Sequence, residues 1–149
     1  MKKKVFGRKL GRSRPAREAL FASLARSMIL NGKIVTTKAK AKAVQVNLEK
    51  FVRLAKTGEI ASLRRVLADL DNARDAMSVL TSKIVPVFTK KISGFTRIIS
   101  LPARKGDGSQ MVRIEWTEKI VEEDKKAKAK EEVKNKKNAK DIPTKRKRN

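Results

Sequence analysis

Lys38, Lys40 and Lys42 stand in the stretch "KIVTTKAKAKAV", residues 33–44, where the pattern predicts the start of a helix. Aligned peptide dipoles place about half a positive charge at a helix N-terminus, so three lysines there add like charge to like. The same end presents unpaired backbone N–H groups, and a phosphate placed against them turns the clash into a binding site. Lys38 and Lys42 lie about one turn apart on a shared face, whereas Lys40 points elsewhere, so the three can grip more than one segment of a phosphodiester backbone. The other candidate for chemistry is an acidic set, Asp69, Asp71 and Asp75, whose carboxylates suit a divalent cation in type. Their positions fit an ordinary structural role better: Asp69 at a helix end, Asp71 as an N-cap, and Asp75 in a first helical turn.

Histidine and cysteine are both absent from the 149 residues. Their absence removes the usual general base, the thiolate nucleophile and the usual zinc ligands, and no disulfide can form. We therefore expect no catalytic residues, no metal site, no cofactor and no small-molecule substrate. Lysine and arginine number 39 against 15 acids, a net charge of +24. Such an imbalance attracts polyanions, and nucleic acid is the leading partner. No run of 18 apolar residues provides a membrane span, and "MKKKVFGRKLGR" lacks the apolar stretch of a secretory signal, so the expected location is cytoplasmic and no membrane partner is expected.

The charge divides the chain into three. Residues 1–14 carry Lys2, Lys3, Lys4, Arg8, Lys9, Arg12 and Arg14 with no acid, forming a basic arm too poor in apolar residues to pack alone. Residues 15–117 form the globular domain. From residue 118 to 149 large apolar residues almost vanish among 13 basic and 7 acidic side chains, and this tail is expected to be disordered.

The elements that must position the lysines follow from periodicity. A helix near residues 13–30 has Pro15 in its first turn, Leu20, Phe21, Leu24 and Met28 as its stripe, and Asn31-Gly32 as its stop. "KIV" is a short strand, and Thr37 is the N-cap of the next helix. That helix runs to about Lys56 with Ala41, Val44, Leu48, Phe51, Val52 and Ala55 inward, and Gly58 ends it. Two more amphipathic segments follow, one on Ile60, Leu63, Leu67 and Leu70, the other on Met77, Leu80, Ile84 and Phe88, with Pro86 ending or kinking the last. The period then falls to two: "FTRIISL" and "MVRIEW" flank the turn-rich "PARKGDGSQ", a hairpin whose Val112, Ile114 and Trp116 share one face. The expected fold is α+β in two layers, about four helices on a small mixed sheet made of the early strand and the hairpin. Arg97, Arg104 and Lys105 make a second basic patch on that hairpin.

A nucleoid-type DNA-binding protein would share the charge, but the chain shows no helix-turn-helix pair or basic-zipper heptads. The motifs in order, "GRKLGR" at 7–12, "REALFASLARSMI" at 17–29, "IVTTKAKAKA" at 34–43, "RLAKTG" at 53–58, "GFTRI" at 94–98 and "RKGDGSQMVRIEW" at 104–116, resemble the bacterial large-subunit ribosomal protein seventeen family over residues 4–117. The resemblance implies an α/β two-layer fold and a structural component of the large ribosomal subunit that binds large-subunit ribosomal RNA near the nascent-chain exit tunnel, beside neighbouring ribosomal proteins. Arg8, Lys9, Leu10, Gly11 and Arg12 match the family's arm motif; Thr36, Thr37, Lys40, Ala41 and Lys42 match its helix start; Gly94, Thr96, Arg97, Ile98, Arg104, Gly106, Asp107 and Met111 match its hairpin. Ala16-Arg17 stands where the family usually has a His-Arg pair, and Ala43 and Gln45 replace an acid and an arginine. The RNA contacts so expected are Lys2, Lys3, Lys4, Arg8, Lys9, Arg12, Arg14, Arg17, Thr36, Thr37, Lys38, Lys40, Lys42, Arg97, Arg104 and Lys105.

Overall fold

The computed structural model describes residues 7–120. Lys2, Lys3 and Lys4 of the basic arm, and the tail from residue 121, lie outside the described residues. The first helix, α1 (Arg14–Asn31), takes Pro15 at its start, where a missing N–H costs nothing, and Gly32 ends it in a left-handed conformation, φ 73°, with its N–H on the Met28 carbonyl. Arg14, assigned to the arm by charge alone, is the first residue of this helix and pairs with Glu18 one turn on, at 2.9 Å.

Strand β1 (Lys33–Thr37) leads directly into α2 (Lys38–Thr57), with Thr37 at the N-cap and Gly58 closing the far end. All six inward positions read from the α2 pattern are buried. Helix α3 (Ile60–Asp69) follows, and then α4 (Arg74–Val79), which continues through a π-helical turn (Leu80–Ile84) and a last α turn (Val85–Val87). The wide turn has a local cause: Pro86 has no N–H to give and its ring crowds the preceding turn, and the Val85 N–H reaches back five residues to the Leu80 carbonyl. Pro86 thus distorts the helix where the sequence places a kink.

Strands β2 (Thr96–Ser100) and β3 (Met111–Trp116) form the hairpin, and β3 is central in the order β1-β3-β2. Both pairings are antiparallel, Lys33 opposite Glu115 and Thr37 opposite Met111 on one side, Thr96 opposite Trp116 and Ser100 opposite Val112 on the other. The sheet is therefore purely antiparallel and not mixed. The physical reason is the direct entry of β1 into α2, which brings the helix start to the loop end of β3: the Lys38 N–H donates to the Gln110 carbonyl at 3.0 Å.

The helices cover the inner face of the sheet, where Val112, Ile114 and Trp116 alternate inward from β3 as the period of two predicts. Phe88, at the end of the α4 assembly, meets Phe95 edge-on at 5.3 Å and Trp116 at 5.9 Å, closing the core between helix and hairpin. The stripe of α1 is rotated from the predicted one. Ala22, Ala25, Met28 and Ile29 are buried, while Leu20, Phe21 and Leu24 are half-buried at the rim. This helix packs against β1, α2 and α4 at once, and alanines allow the close approach that larger side chains would block. In α3, Val66 is the buried residue and Ile60, the first of the predicted stripe, is 68% exposed. Asp71 is not an N-cap. It and Asn72 both take left-handed conformations, φ 57°, in a tight reversal after α3, and Ala73 stands at the N-cap of α4.

Candidate nucleic-acid interface

The start of α2 is built from both sides. Thr36 is buried in the sheet, and Thr37 turns the chain into the helix with its own hydroxyl making no cap bond. Gln110 supplies the missing partner: its carbonyl takes the Lys38 N–H, and its side-chain oxygen takes Lys38 Nζ at 3.2 Å. The first helical turn, the end of the hairpin loop and the arm then surround a cleft of about 450 Å³. Arg8, Lys38 and Lys42 are its charged lining, with Ser109 and Gln110 opposite them, and no acid lines it. Lys38 and Lys42 share this cleft, as their spacing predicts; Lys40 is half-buried and lines neither this cleft nor its neighbour.

A second cleft of about 290 Å³ adjoins the first, with Arg8 and Lys42 common to both. Helix α1 contributes Arg17 and Phe21 to it, and α2 contributes Val46 and Asn47. The arm is fixed over these helices by a turn at Leu10 and Gly11, both left-handed, in which the Arg12 N–H bonds the Lys9 carbonyl and Arg12 Nη1 bonds the Leu10 carbonyl. Arg17 Nη1 in turn donates to the Arg12 carbonyl at 3.2 Å. Sequence spacing does not reveal that Arg8 and Lys42 line the same clefts, because that depends on this arm turn and on the crossing of two helices. Val46 and Asn47 carry no charge or motif signal at all, and Phe21 and Gln110, though inside the motifs, do not stand out as site residues.

The hairpin patch is different in kind, because its arginines already have acidic partners. Arg97 donates through Nε to Glu115 at 2.7 Å, across the strands, and Arg113 Nε lies 2.8 Å from the other Glu115 oxygen without its N–H aligned for a hydrogen bond. These guanidinium groups, Arg97 first, hold the Glu115 carboxyl below the usual range. Arg104 grips Asp107 at both ends, 3.1 and 2.5 Å, and Ser109 adds its N–H and hydroxyl, so Asp107 is held well below an ordinary aspartate. Lys105 is exposed beside them. Neither Arg97, Arg104 nor Lys105 lines the two clefts, so the hairpin patch and the helix-start site are separate features of the surface.

The acidic set is dispersed into ion pairs: Asp69 with Lys50 at 2.9 Å and Asp75 with Arg26 at 2.8 Å. Among the described residues no group of three or more potential ligands could hold a metal ion. The chemistry available to these surfaces is the binding of anions at fixed positions.

The sequence has relatives among known proteins. The family profile of Ribosomal protein L17 matches residues 20–117. A "Large ribosomal subunit protein bL17" of Sulfurihydrogenibium sp. is 42% identical over 119 residues, covering 79% of this chain and 98% of the relative. Proteins of the same name from Halalkalibacterium halodurans and Acholeplasma laidlawii are each 40% identical, covering 72% of this chain and 95% of the relative. With the profile matching about two thirds of the chain and the relatives matched along nearly their whole lengths, the chain belongs to the bacterial ribosomal protein L17 family.

Proposed function

We propose that the protein is a structural constituent of the large ribosomal subunit in the cytoplasm, where it binds folded large-subunit ribosomal RNA near the nascent-chain exit tunnel and abuts neighbouring ribosomal proteins. The observation that carries this reading is the acid-free cleft at the start of α2, which draws Arg8 from the arm, Lys38 and Lys42 from the helix, and Gln110 from the hairpin into one place. Three parts of the chain remote in sequence converge there on the chemistry of a phosphodiester. The names carried by the relatives support the place in the large ribosomal subunit.

The mechanism is electrostatic and geometric. Lysines and arginines neutralise phosphates and release condensed counterions, so binding weakens steeply with salt. Lys2, Lys3, Lys4, Lys9 and Arg12 extend the contact along the arm, with Arg14 and Arg17 at its junction with α1. Arg97 and Arg104 enter it by exchanging Glu115 and Asp107 for phosphate oxygens, a bidentate geometry that guanidinium suits. Thr36 and Thr37 position the helix start. Lys40, turned away from the clefts, is left to reach a second strand.

The test is to tag the protein in its own cells, separate ribosomal particles on a sucrose gradient, wash them in moderate salt and count copies by mass spectrometry. One copy per large subunit, absent from free small subunits, is the expected result. Recovery with nucleoid DNA, or loss in the wash, would overturn the proposal.

A further inference from the structure

The smaller cleft has a composition that phosphate binding does not explain. Its floor is apolar: Phe21 is half-buried with its far side against the core, and Val46 leaves 44% of its surface open. Each helix sets a cation one turn before its apolar residue, Arg17 before Phe21 on α1 and Lys42 before Val46 on α2, with Arg8 of the arm at the rim. The Asn47 carboxamide lines the same cleft and has no hydrogen-bond partner among the described residues. At about 290 Å³ the space lies at the bottom of the range of about 300–1,000 Å³ that small-molecule sites occupy, room for a single flat ring system.

We infer that this cleft is a base slot, which takes one unstacked base of single-stranded RNA against Phe21 and Val46 while Arg8, Arg17 and Lys42 hold the flanking phosphates. The inference rests on the RNA-binding reading and adds the part of the RNA that is read there. An aromatic face stacks on any base, and an unpaired carboxamide offers both a donor and an acceptor to a base edge. Because Arg8 and Lys42 also line the larger cleft, one strand passes from one site to the other, its backbone in the first and its base in the second. The ligand is an extruded base, because the walls of a regular duplex present no free ring to an apolar slot.

The experiment titrates the full chain with a labelled oligoriboadenylate about 12 nucleotides long and with an RNA duplex of the same length, a span within the reach of one single-strand site. Asn47→Ala and Phe21→Leu keep the charge, so they leave phosphate contacts in place. Stacking of one base is worth about 1–3 kcal/mol, so Phe21→Leu is expected to lose about tenfold or more on the single strand. Asn47→Ala, which removes a hydrogen bond to the base edge, is expected to lose about threefold or more there, and both variants less than about twofold on the duplex. Thermal unfolding checks the variants; Asn47→Ala, at a helical position where alanine is the better helix former, carries the test if Phe21→Leu loses its fold. Salt-dependent binding of both RNAs that neither variant changes, or that both variants weaken equally on strand and duplex, overturns the base slot and leaves the phosphate reading standing. No salt-dependent binding of either RNA by the unaltered protein overturns both.

Discussion

Glu49 holds Thr96 from both its backbone and its side chain: one carboxylate oxygen accepts the Thr96 N–H at 3.1 Å and the Thr96 hydroxyl at 3.2 Å. The other oxygen accepts the Gly94 N–H at 3.1 Å, and Gln45, one turn earlier on α2, donates to the Thr96 carbonyl at 3.5 Å. The strand that begins the hairpin is thus clamped to the middle of the helix whose start forms the cleft. Glu49→Ala leaves two backbone N–H groups and a buried hydroxyl without their acceptor, and an unsatisfied buried donor costs about 1–3 kcal/mol. Urea unfolding should show a loss of that size for Glu49→Ala and a smaller one for Glu49→Gln, whose single amide oxygen keeps part of the set. An unchanged midpoint in Glu49→Ala would show that the clamp contributes nothing.

Replacing Lys38, Lys40 and Lys42 together with glutamine separates folding from binding. The helix dipole disfavours each cation by about 0.3–1 kcal/mol at most, so the isolated protein should be as stable as before or slightly steadier. Gln110 still caps Lys38 through the backbone, an interaction the substitutions leave in place. Binding to RNA should weaken, and the slope of log K against log salt should become shallower by about 2 to 3, following the 0.7–0.9 counterions released per phosphate contact. Unfolding seen by circular dichroism would make the lysines structural and refute this account of the helix start.

The contrast between α2 and α1 shows how far periodicity reaches. In α2 the inward residues follow one narrow stripe with lysine, glutamate and arginine opposite, so only one rotation about the helix axis buries the apolar side, and all six predicted positions are buried. In α1 apolar residues surround much of the helix, and the rotation is chosen by neighbours that the local pattern does not contain, which favours Ala22 and Ala25 over Leu20. The site divides the same way. Lys38 and Lys42 could be paired from their spacing, because helical geometry alone places them together. Arg8 joins them through a local turn at Leu10 and Gly11 that the charge pattern does not contain, and Gln110 through strand register, which is set by pairing across most of the chain. The compensation of Arg97 by Glu115 was open to a reading of β3, where Glu115 sits on the outer face, but it required the register that sets the two opposite each other.

Glu115 makes a prediction about acid. Its folded carboxyl titrates below the unfolded one, so it stabilises the fold fully above the unfolded value and loses that contribution as pH falls through the depressed folded value. The difference in unfolding free energy between the natural protein and Glu115→Gln should therefore stay constant from neutral pH down to about 5. It should shrink below about pH 4.3, the ordinary glutamate value. A difference that changes between pH 7 and 5 would mean that another group titrates with it.

Phe88 tests whether the distorted end of α4 is a structural device or an accident of Pro86. Its side chain is fully buried, and it alone of the α4 assembly meets both Phe95 and Trp116 with its ring. The π turn before it adds a residue to the helical circuit, which rotates everything beyond Ile84 relative to a regular helix and aims Phe88 at the hairpin. Phe88→Ala removes that bridge, and a buried phenylalanine truncated to alanine costs about 3–5 kcal/mol. Trp116 is the chain's one tryptophan, so its near-ultraviolet circular dichroism reports the same contact. The expected outcome is a large fall in the urea midpoint with a collapsed Trp116 signal in the still-folded protein at low denaturant. A stable variant with an unchanged Trp116 spectrum would mean that the sheet is held by β1 and α2 alone, and that the α4 assembly could be a regular helix without loss.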